Sequence, residues 1–303
     1  MSYSKNNSCP VCLESNSTYQ GSYGQKPFLS CNSLYKCSNC NLVFAYEFPK
    51  KDDLNEYYSN SLYYDLTEDP FHPEIIEFSY KLALTRLSLI YEKTNMANNL
   101  ENVIDIGAGN AVFGLALKKQ KNEVIYDVVE PNIQVQDKYG DWVNNSYTDI
   151  NQIKRKSYDL VILNQVLEHI PDPINFLKSI SKFIKNGGYL YIDVPFQDYL
   201  FKKSIEPHLI FLNHKSISFL MQNVGLKMVF CDTAGMPHKI ARRFFNQHNL
   251  LRKILNPWKY LNKINQIIIK IGFSKIFDTF NQFQADQYGG DRQWLRCIAQ
   301  KID

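Results

Sequence analysis

The segment NQVLEHI, residues 164–170, carries an acid beside a histidine directly after the apolar run YDLVIL. Glu168 and His169 could act as a general base and its partner, as metal ligands, or as a tie between a loop and the next helix. Histidine suits the base role because its side chain titrates near neutral pH. A second histidine, His208, lies in a later loop and competes for this role. These three residues are the catalytic candidates, and His169 ranks first.

Five of the seven cysteines fall in the first forty residues, and four of them form two C-x-x-C pairs. Cys9 and Cys12 form CPVC, and Cys37 and Cys40 form CSNC. Two such pairs suit tetrahedral thiolate coordination, because each places two sulfur atoms on one metal ion. The spacing predicts a structural Zn2+ in a zinc ribbon, with a disulfide framework as the alternative. Cys31 is the remaining cysteine of this group and is expected to be a small buried hydrophobe.

A buried strand, a glycine turn and a helix are predicted over residues 101–119, ENVIDIGAGNAVFGLALKK. In an open parallel sheet, such a turn lies at the carboxyl ends of the strands, where ligands bind. The turn contains D-x-G-x-G, formed by Asp105, Gly107 and Gly109. Val112 stands where a dinucleotide fingerprint has its third glycine. The glycines allow a ligand to approach the backbone, and the carboxylate suits a cationic group better than a pyrophosphate.

The next predicted strand, EVIYDVVEP, ends in Glu130, which is placed to accept hydrogen bonds from ribose hydroxyls. Two acids and a glycine turn in this order resemble a class I S-adenosylmethionine-dependent methyltransferase. The resemblance continues through SYTDI, where Asp149 is expected to face the adenine amino group. It extends over YDLVILNQVLEHIPDPINFLKSISKFIKNGGYLYIDVPF as the fourth strand, a helix, an Asn-Gly-Gly turn and the fifth strand. In this family the fourth strand ends beside the sulfonium, which implies that Asn164 and Gln165 line the cofactor site.

The resemblance implies an α/β fold with a doubly wound, mostly parallel, seven-stranded sheet of the Rossmann-like methyltransferase type. The final QWLRCIAQK alternates like a closing antiparallel strand. The predicted division is a zinc ribbon over 1–50, a helical linker or lid over 51–99, the S-adenosylmethionine-binding core over 100–232 plus 286–303, and a basic helical insert over 233–285.

The segment YKCSNCNLVFAYEFPKKDDLNEYYSNSLYY is similar to the link between zinc ribbon and catalytic domain in bacterial methyltransferases of sugar, polysaccharide and natural-product pathways. That resemblance implies methyl transfer to a sugar nucleotide, glycan precursor or related small metabolite, with a hydroxyl as the expected acceptor group. NQVLEH also resembles the E-x-x-E-H motif of the ubiquinone-pathway O-methyltransferases, whose acids and histidine are associated with a divalent metal. Gln165 replaces the first acid, and its neutral amide adds no charge to hold Mg2+.

Two other functions stay open at this point. Some ribosomal RNA guanine methyltransferases also carry an N-terminal zinc module, but NQVLEH lacks the Asn/Asp-Pro-Pro-aromatic signature that stacks a flipped base. The first fifty residues hold four lysines and two glutamates, so the zinc module is not conspicuously basic and a nucleic-acid partner is not expected. A non-catalytic scaffold is the third possibility, and the joint presence of the glycine turn and both cofactor acids argues against it.

Charge is distributed unevenly along the chain. Residues 233–277 contain nine Lys or Arg and no Asp or Glu, so the remaining chain holds 25 basic and 30 acidic residues. Apolar residues interleave with these bases at helical spacing up to a break at Pro257, which predicts two amphipathic basic helices. Such helices would form a lid that attracts a phosphate-bearing acceptor, or a contact with an anionic membrane. A lid that only solvates its charges is the alternative.

Two helix starts are indicated close to the catalytic candidates. In IPDPINF, Asp172 is expected to cap a helix with Pro173 at its first position. A later helix is expected to be capped near Asn213 or His214.

The first twenty residues are polar, and no apolar run reaches the ~18 residues of a membrane span, so a cytoplasmic globular protein is expected.

Overall fold

The computed structural model describes residues 8–24, 31–59, 69–246 and 284–302. The strands are β1 Ser17–Ser22, β2 Ser33–Cys37, β3 Val43–Tyr46, β4 Asn102–Ile106, β5 Ile125–Val129, β6 Asn145–Tyr147, β7 Tyr158–Asn164, β8 Ile184–Pro195, β9 Ile210–Phe211, β10 Leu226–Pro237 and β11 Arg292–Lys301. The helices are α1 Lys51–Ser59, α2 Pro73–Lys93, α3 Val112–Gln120, α4 Ile133–Gln136, α5 Pro173–Ser181, α6 His214–Val224 and α7 His238–Asn246. Short 3-10 turns occupy Ile150–Gln152, Leu167–His169 and Asp198–Leu200.

Seven strands form one sheet in the order β10, β11, β8, β7, β4, β5, β6. β4 pairs in parallel with β5 and β7, and β8 pairs in parallel with β7, whereas β11 is antiparallel to both β8 and β10. The central strands are apolar runs buried on both faces, as parallel strands covered by helices require. The predicted mostly parallel, seven-stranded sheet and its closing antiparallel strand are therefore confirmed. The strand order reverses between β4 and β7, which is where ligands bind in such sheets.

The predicted Asn-Gly-Gly turn ahead of the fifth strand is wrong. β8 begins at Ile184 and contains the triplet within its length. Its register with β7 shifts between Tyr158 and Leu160, and Gly187 has a φ of 77°. Between these pairs β8 has three residues more than β7, and the two glycines allow the irregular backbone that this bulge inside the strand needs.

β10 extends five residues beyond the predicted core boundary at 232, to Pro237. Thr233 and Ala234 are fully buried and pair with β11. The sequence TAGMP contains Gly and Pro, which are depleted in strands, so local propensity did not indicate this extension. α7 follows directly and is the described start of the basic segment. The remainder of the two predicted basic helices, with Pro257, lies outside the described residues.

A second sheet, in the order β1, β2, β3, β9, joins the N-terminal segment to the rest of the chain. We call residues 8–24 and 31–46 the N-terminal module. Its strand β3 pairs with β9 through Val43 with Phe211 and Phe44 with Ile210. Several of its buried side chains belong to the same hydrophobic cluster as β7 and α6. The module is therefore continuous with the core beside the seven-stranded sheet.

The two predicted helix starts are confirmed. Asp172 Oδ1 accepts a hydrogen bond of 3.2 Å from the backbone N–H of Asn175. Asn213 Oδ1 accepts one of 3.0 Å from Ser216 N–H, which completes a capping box. Among the helices that the structure describes, none has the length and hydropathy needed to cross a membrane.

Candidate active site

A cavity of about 950 Å³ opens at the carboxyl ends of β4, β5 and β7. Its walls come from the turn after β4, the end of β5, the loops after β6 and β7, and helices α1 and α2. The predicted site residues in its lining are Asp105, Gly107, Gly109, Glu130, Asp149, Asn164, Gln165 and His169. The other two candidates, Glu168 and His208, contact His169 without lining the cavity.

The glycine turn has backbone conformations that side chains disfavour. Gly107 and Gly109 have φ values of 73° and 54°. A Cβ atom on Gly107 would lie 2.5 Å from Val166 Cγ2, so glycine is required there by contact as well as by conformation. The Gly107 N–H donates to the carbonyl of Val129 at 2.7 Å, which ties the turn to the end of β5. The turn thus brings bare backbone to the cavity wall.

Asp105, near the end of β4, is a buried carboxylate with one oxygen in use. Its Oδ2 accepts a hydrogen bond of 2.8 Å from Tyr126 Oη, and within the described residues its Oδ1 has no hydrogen-bond partner. Burial raises the pKa of Asp105 to about 7, against the opposing effects of Tyr126 and the Arg86 guanidinium. A cationic ligand group would supply the missing partner, as the sequence pattern predicts.

Glu130 follows β5 and is only 5% exposed. Its Oε2 accepts a hydrogen bond of 3.1 Å from Gly109 N–H, and its Oε1 accepts one of 3.1 Å from Asn132 N–H. These two bonds fix the carboxylate beside the glycine turn. The residue lines the cavity, and a carboxylate is the acceptor that ligand hydroxyls require.

Three further predicted cofactor residues lie on the same wall. Asp149 is exposed and caps a 3-10 turn by accepting a hydrogen bond of 2.7 Å from Asn151 N–H. Asn164 ends β7, and its buried Oδ1 has no hydrogen-bond partner among the described residues. Gln165 has a φ of 55°, and its Nε2 donates to Asp193 Oδ1 at 3.2 Å. Asn164 therefore offers a free acceptor to a ligand, whereas Gln165 is anchored to β8.

Arg86 of α2 is a cavity residue that the sequence analysis missed. Its Nε donates to Asp193 Oδ2 at 2.8 Å, and Arg296 of β11 donates to the same oxygen at 3.0 Å. Within the described residues, the terminal nitrogens of Arg86 have no hydrogen-bond partner, although the residue is only 8% exposed. A guanidinium opposite the free oxygen of Asp105 suits a ligand that carries both a carboxylate and an ammonium. In the sequence, Arg86 could have been noticed only as a basic residue on the apolar, buried side of α2.

Glu168, His169 and His208 form a compact buried cluster, in which one ligand atom of each lies within 4.8 Å of the others. His169 Nε2 lies 3.7 Å from Glu168 Oε1, and the two imidazole rings are 5.0 Å apart. Burial and the neighbouring His208 lower the pKa of His169 to about 3, so its ring is uncharged at neutral pH. Burial raises the pKa of Glu168 well above its usual value. The cluster can act as a base and its surroundings, or hold a divalent cation with one carboxylate and two imidazoles.

Asp198, which the sequence analysis missed, lies against His208. Asp198, which is fully buried, lies with Oδ2 2.9 Å from His208 Nδ1 and 2.8 Å from Lys202 Nζ. Burial would raise the pKa of Asp198, but the charges of His208 and Lys202 outweigh it and hold the pKa below its usual value. Nothing in the local sequence marks the contact of Asp198 with His208, because the two residues are ten positions apart across a loop.

The four predicted zinc ligands converge in the N-terminal module. Cys9 Sγ lies 3.4 Å from Cys40 Sγ, and Cys12 Sγ lies 3.4 Å from Cys37 Sγ. All four sulfur atoms lie within 4.8 Å of one another, and none is in a disulfide. The donor set fits tetrahedral Zn2+, whose bonds to sulfur are ~2.3 Å. Cys31 is fully buried outside this set, and burial raises its pKa to about 12, in line with a packing role.

Comparison with known proteins assigns the fold and the cavity to a family. The family model of the methyltransferase domain matches residues 79–252, which are 174 of the 303 residues. A ubiquinone biosynthesis O-methyltransferase of Aliivibrio fischeri is 21% identical over 210 residues, covering 65% of this chain and 77% of the relative. That of Leptothrix cholodnii is 22% identical over 176 residues, covering 55% and 67%. A solved S-adenosylmethionine-dependent methyltransferase of Archaeoglobus fulgidus matches 73% of this chain and 94% of its own, with 18% identity and a TM-score of 0.47.

The chain belongs to the methyltransferase domain family. It is an S-adenosylmethionine-dependent methyltransferase, because the family match covers the parallel sheet, the glycine turn, Asp105 and Glu130.

Proposed function

We propose that this enzyme transfers a methyl group to a hydroxyl of a sugar nucleotide, glycan precursor or related small metabolite, with His169 as the general base. The observation that carries the proposal is the position of His169 in the lining of the cavity that also contains the glycine turn and Glu130. The relatives in Aliivibrio and Leptothrix are O-methyltransferases, which supports oxygen as the acceptor atom. The similarity of the N-terminal link to sugar and natural-product methyltransferases supports the acceptor class.

The cofactor half of the cavity has a donor or acceptor for each polar part of S-adenosylmethionine. Asp105 and Asn164 each offer a buried oxygen for the ammonium, and Arg86 offers its terminal nitrogens for the carboxylate. Glu130 is positioned for the ribose hydroxyls, and Asp149 lies at the exposed end for the adenine. When bound, S-adenosylmethionine supplies an electrophilic methyl group. The residues of the chain supply its orientation, which accounts for much of the acceleration of an in-line transfer.

We assign His169 as the group that accepts the proton lost by the acceptor hydroxyl. Its Nδ1 lies 3.2 Å from the carbonyl oxygen of Pro207. A carbonyl oxygen only accepts, so this contact places the imidazole proton on Nδ1 and leaves the lone pair on Nε2. Ionisation of Glu168, whose Oε1 lies 3.7 Å from that Nε2, would stabilise the imidazolium formed when the acceptor proton arrives.

The acceptor can be identified by incubating the protein with labelled S-adenosylmethionine and a panel of sugar nucleotides, phenols and cell extract. With the acceptor in hand, His169→Ala should lower turnover by ~10²–10⁴, the contribution of a general base. Affinity for S-adenosylhomocysteine, measured by calorimetry, should stay unchanged. His72→Ala is the control, because His72 is exposed and lies away from the cavity lining. Undiminished turnover in His169→Ala, or a larger loss in His208→Ala, would reverse the assignment.

A divalent cation at Glu168, His169 and His208 is the second candidate for activating the hydroxyl. The observation in its favour is the buried carboxylate of Glu168, neither of whose oxygens has a hydrogen-bond partner among the described residues. Metal analysis separates the two candidates. A catalytic base predicts that Glu168→Gln leaves the bound metal unchanged, whereas a cation site predicts the loss of one equivalent with the cysteine site still loaded.

We also propose one structural Zn2+ on Cys9, Cys12, Cys37 and Cys40. The convergence of four thiols at tetrahedral spacing supports it. With four protein ligands the site has no open position for a substrate, so its contribution is to the fold.

A further inference from the structure

The N-terminal module contacts the chain segment that carries His208. Strand β9 follows His208 by one residue and pairs with β3 of the module. The carbonyl of Leu209 accepts a hydrogen bond of 2.7 Å from Ala45 N–H of the module. Through its own N–H, Leu209 donates to the carbonyl of Glu168 at 2.7 Å. One residue therefore connects the module to the loop that carries Glu168.

A side chain of the module reaches His208 directly. Tyr23 is only 3% exposed, and its hydroxyl donates to the backbone carbonyl of His208 at 3.0 Å. The neighbouring carbonyl of Pro207 is the one that fixes Nδ1 of His169. The backbone around residues 207–209 is thus held by the module on one side and orients both histidines on the other.

Helix α1 extends the same arrangement to the cavity wall. Leu54 and Tyr57 pack in one hydrophobic cluster with Tyr23 and Val43 of the module. On the cavity side of α1, the ring of Tyr58 lies 5.5 Å from the ring of His169. The wall beside His169 is therefore built on the module, whereas the glycine turn is tied to β5 through Gly107 N–H.

We propose that the N-terminal module positions His169 and His208, with Tyr23 as a positioning residue. Metal binding by its four cysteines then controls the part of the cavity beside His169, but not the part beside the glycine turn and Glu130. The inference rests on the proposed function only where turnover is measured. Loss of the metal removes the constraint that holds β1, β2 and β3 together, because small zinc modules own little core. The bonds to Leu209 and His208 would then be lost, and with them the fixed orientation of both histidines.

Hydrogen exchange read by mass spectrometry tests this without an acceptor. In full-length protein, Cys12→Ser or removal of zinc by a chelator should increase exchange of peptides covering 166–170 and 205–211. Exchange over 103–114 should not change, and S-adenosylhomocysteine should bind as before. Cys31→Ala is the matched control, since Cys31 is buried in the module outside the ligand set. Unchanged exchange at 205–211, or equal loss of protection over 103–114, would overturn the proposal.

Tyr23→Phe tests the single contact with zinc still bound. Turnover should fall roughly fivefold, the effect of one lost hydrogen bond, with the KM for S-adenosylmethionine unchanged. Tyr19→Phe is the matched control, because Tyr19 lies in β1, which ends directly before Tyr23, and is 62% exposed. Equal turnover in the two variants would refute the positioning role of Tyr23. If no acceptor is found, the exchange experiment still decides the question, so failure of the proposed function is distinguishable from failure of this inference.

Discussion

Two buried acids near the cavity have pKa values shifted in opposite directions. Burial raises the pKa of Asp105 to about 7, because its one hydrogen bond and the nearby Arg86 offset the effect of burial only in part. Asp193, equally buried, has its pKa lowered because Arg86 and Arg296 together outweigh burial. A carboxylate with two guanidinium partners is complete without a ligand, whereas Asp105 is not. That difference indicates a structural role for Asp193 and a ligand-binding role for Asp105.

The pKa of Asp105 predicts a pH dependence of cofactor binding. The ammonium of S-adenosylhomocysteine favours the ionised carboxylate, so affinity should rise as the pH rises through about 7. Between pH 6 and pH 8 the ionised fraction, and with it the association constant, should increase by up to roughly tenfold. Calorimetry across this range measures the effect. In Asp105→Asn the binding should be weaker and nearly independent of pH, and a persistent rise in that variant would contradict the assignment.

Strand β9 has only two residues, but it joins the N-terminal module to the rest of the chain. It pairs with β3 directly after Leu209, which bonds to Glu168, so the four-stranded sheet is completed by a segment more than 160 residues away in the chain. Such non-local pairing costs loop-closure entropy, which burial of the apolar side chains at both strands offsets. The N-terminal module is consequently in direct contact with the segment that carries His208.

At the same scale, the module should bind about one equivalent of zinc, the amount that closes one tetrahedral site. Metal analysis of protein purified without chelator measures it. Cys37→Ser/Cys40→Ser should lose that equivalent and melt at a lower temperature, because the metal stabilises a module with little core of its own. Cys31→Ala should keep the metal. Full retention of zinc in the double variant would show that these cysteines are not its ligands.

The whole molecule combines a body with 25 basic and 30 acidic residues with a segment over 233–277 that has nine basic and no acidic residues. The first turns of that segment are described as α7. Arg242, Lys239 and Arg243 are all exposed, and Arg242 Nη2 donates a hydrogen bond of 2.6 Å to the carbonyl of Leu200. Arg242 thus anchors the helix, and its exposed neighbours are available to an anionic partner.

This asymmetry predicts binding to anionic surfaces. The protein should sediment with vesicles containing an anionic lipid at low salt, and less so as salt screens the charges. Vesicles of neutral lipid should leave it in solution. Lys239→Glu/Arg243→Glu should weaken the association and spare the anchor at Arg242. If anionic vesicles are ignored and the double variant has an unchanged KM for a phosphate-bearing acceptor, the segment only solvates its charges.

Much of this protein was determined by its sequence alone. The C-x-x-C pairs, the D-x-G-x-G turn and the acids and amides at the strand ends predicted the cysteine cluster and the cavity lining. These predictions hold because they depend on local requirements. A turn with positive φ needs glycine, and parallel strands bring their carboxyl ends to one edge of the sheet.

Only the tertiary structure decided the rest. Asp198 and Tyr23 carry no local signal, and Arg86 carries only its position on the buried side of α2, since each acquires its role from a partner on another element. The position of the Asn-Gly-Gly bulge depends on the register of β8 against β7, and the end of β10 depends on pairing with β11. Local propensity contains no information about such partners, because strand pairing and buried ion pairs gain their free energy from residues distant in the chain.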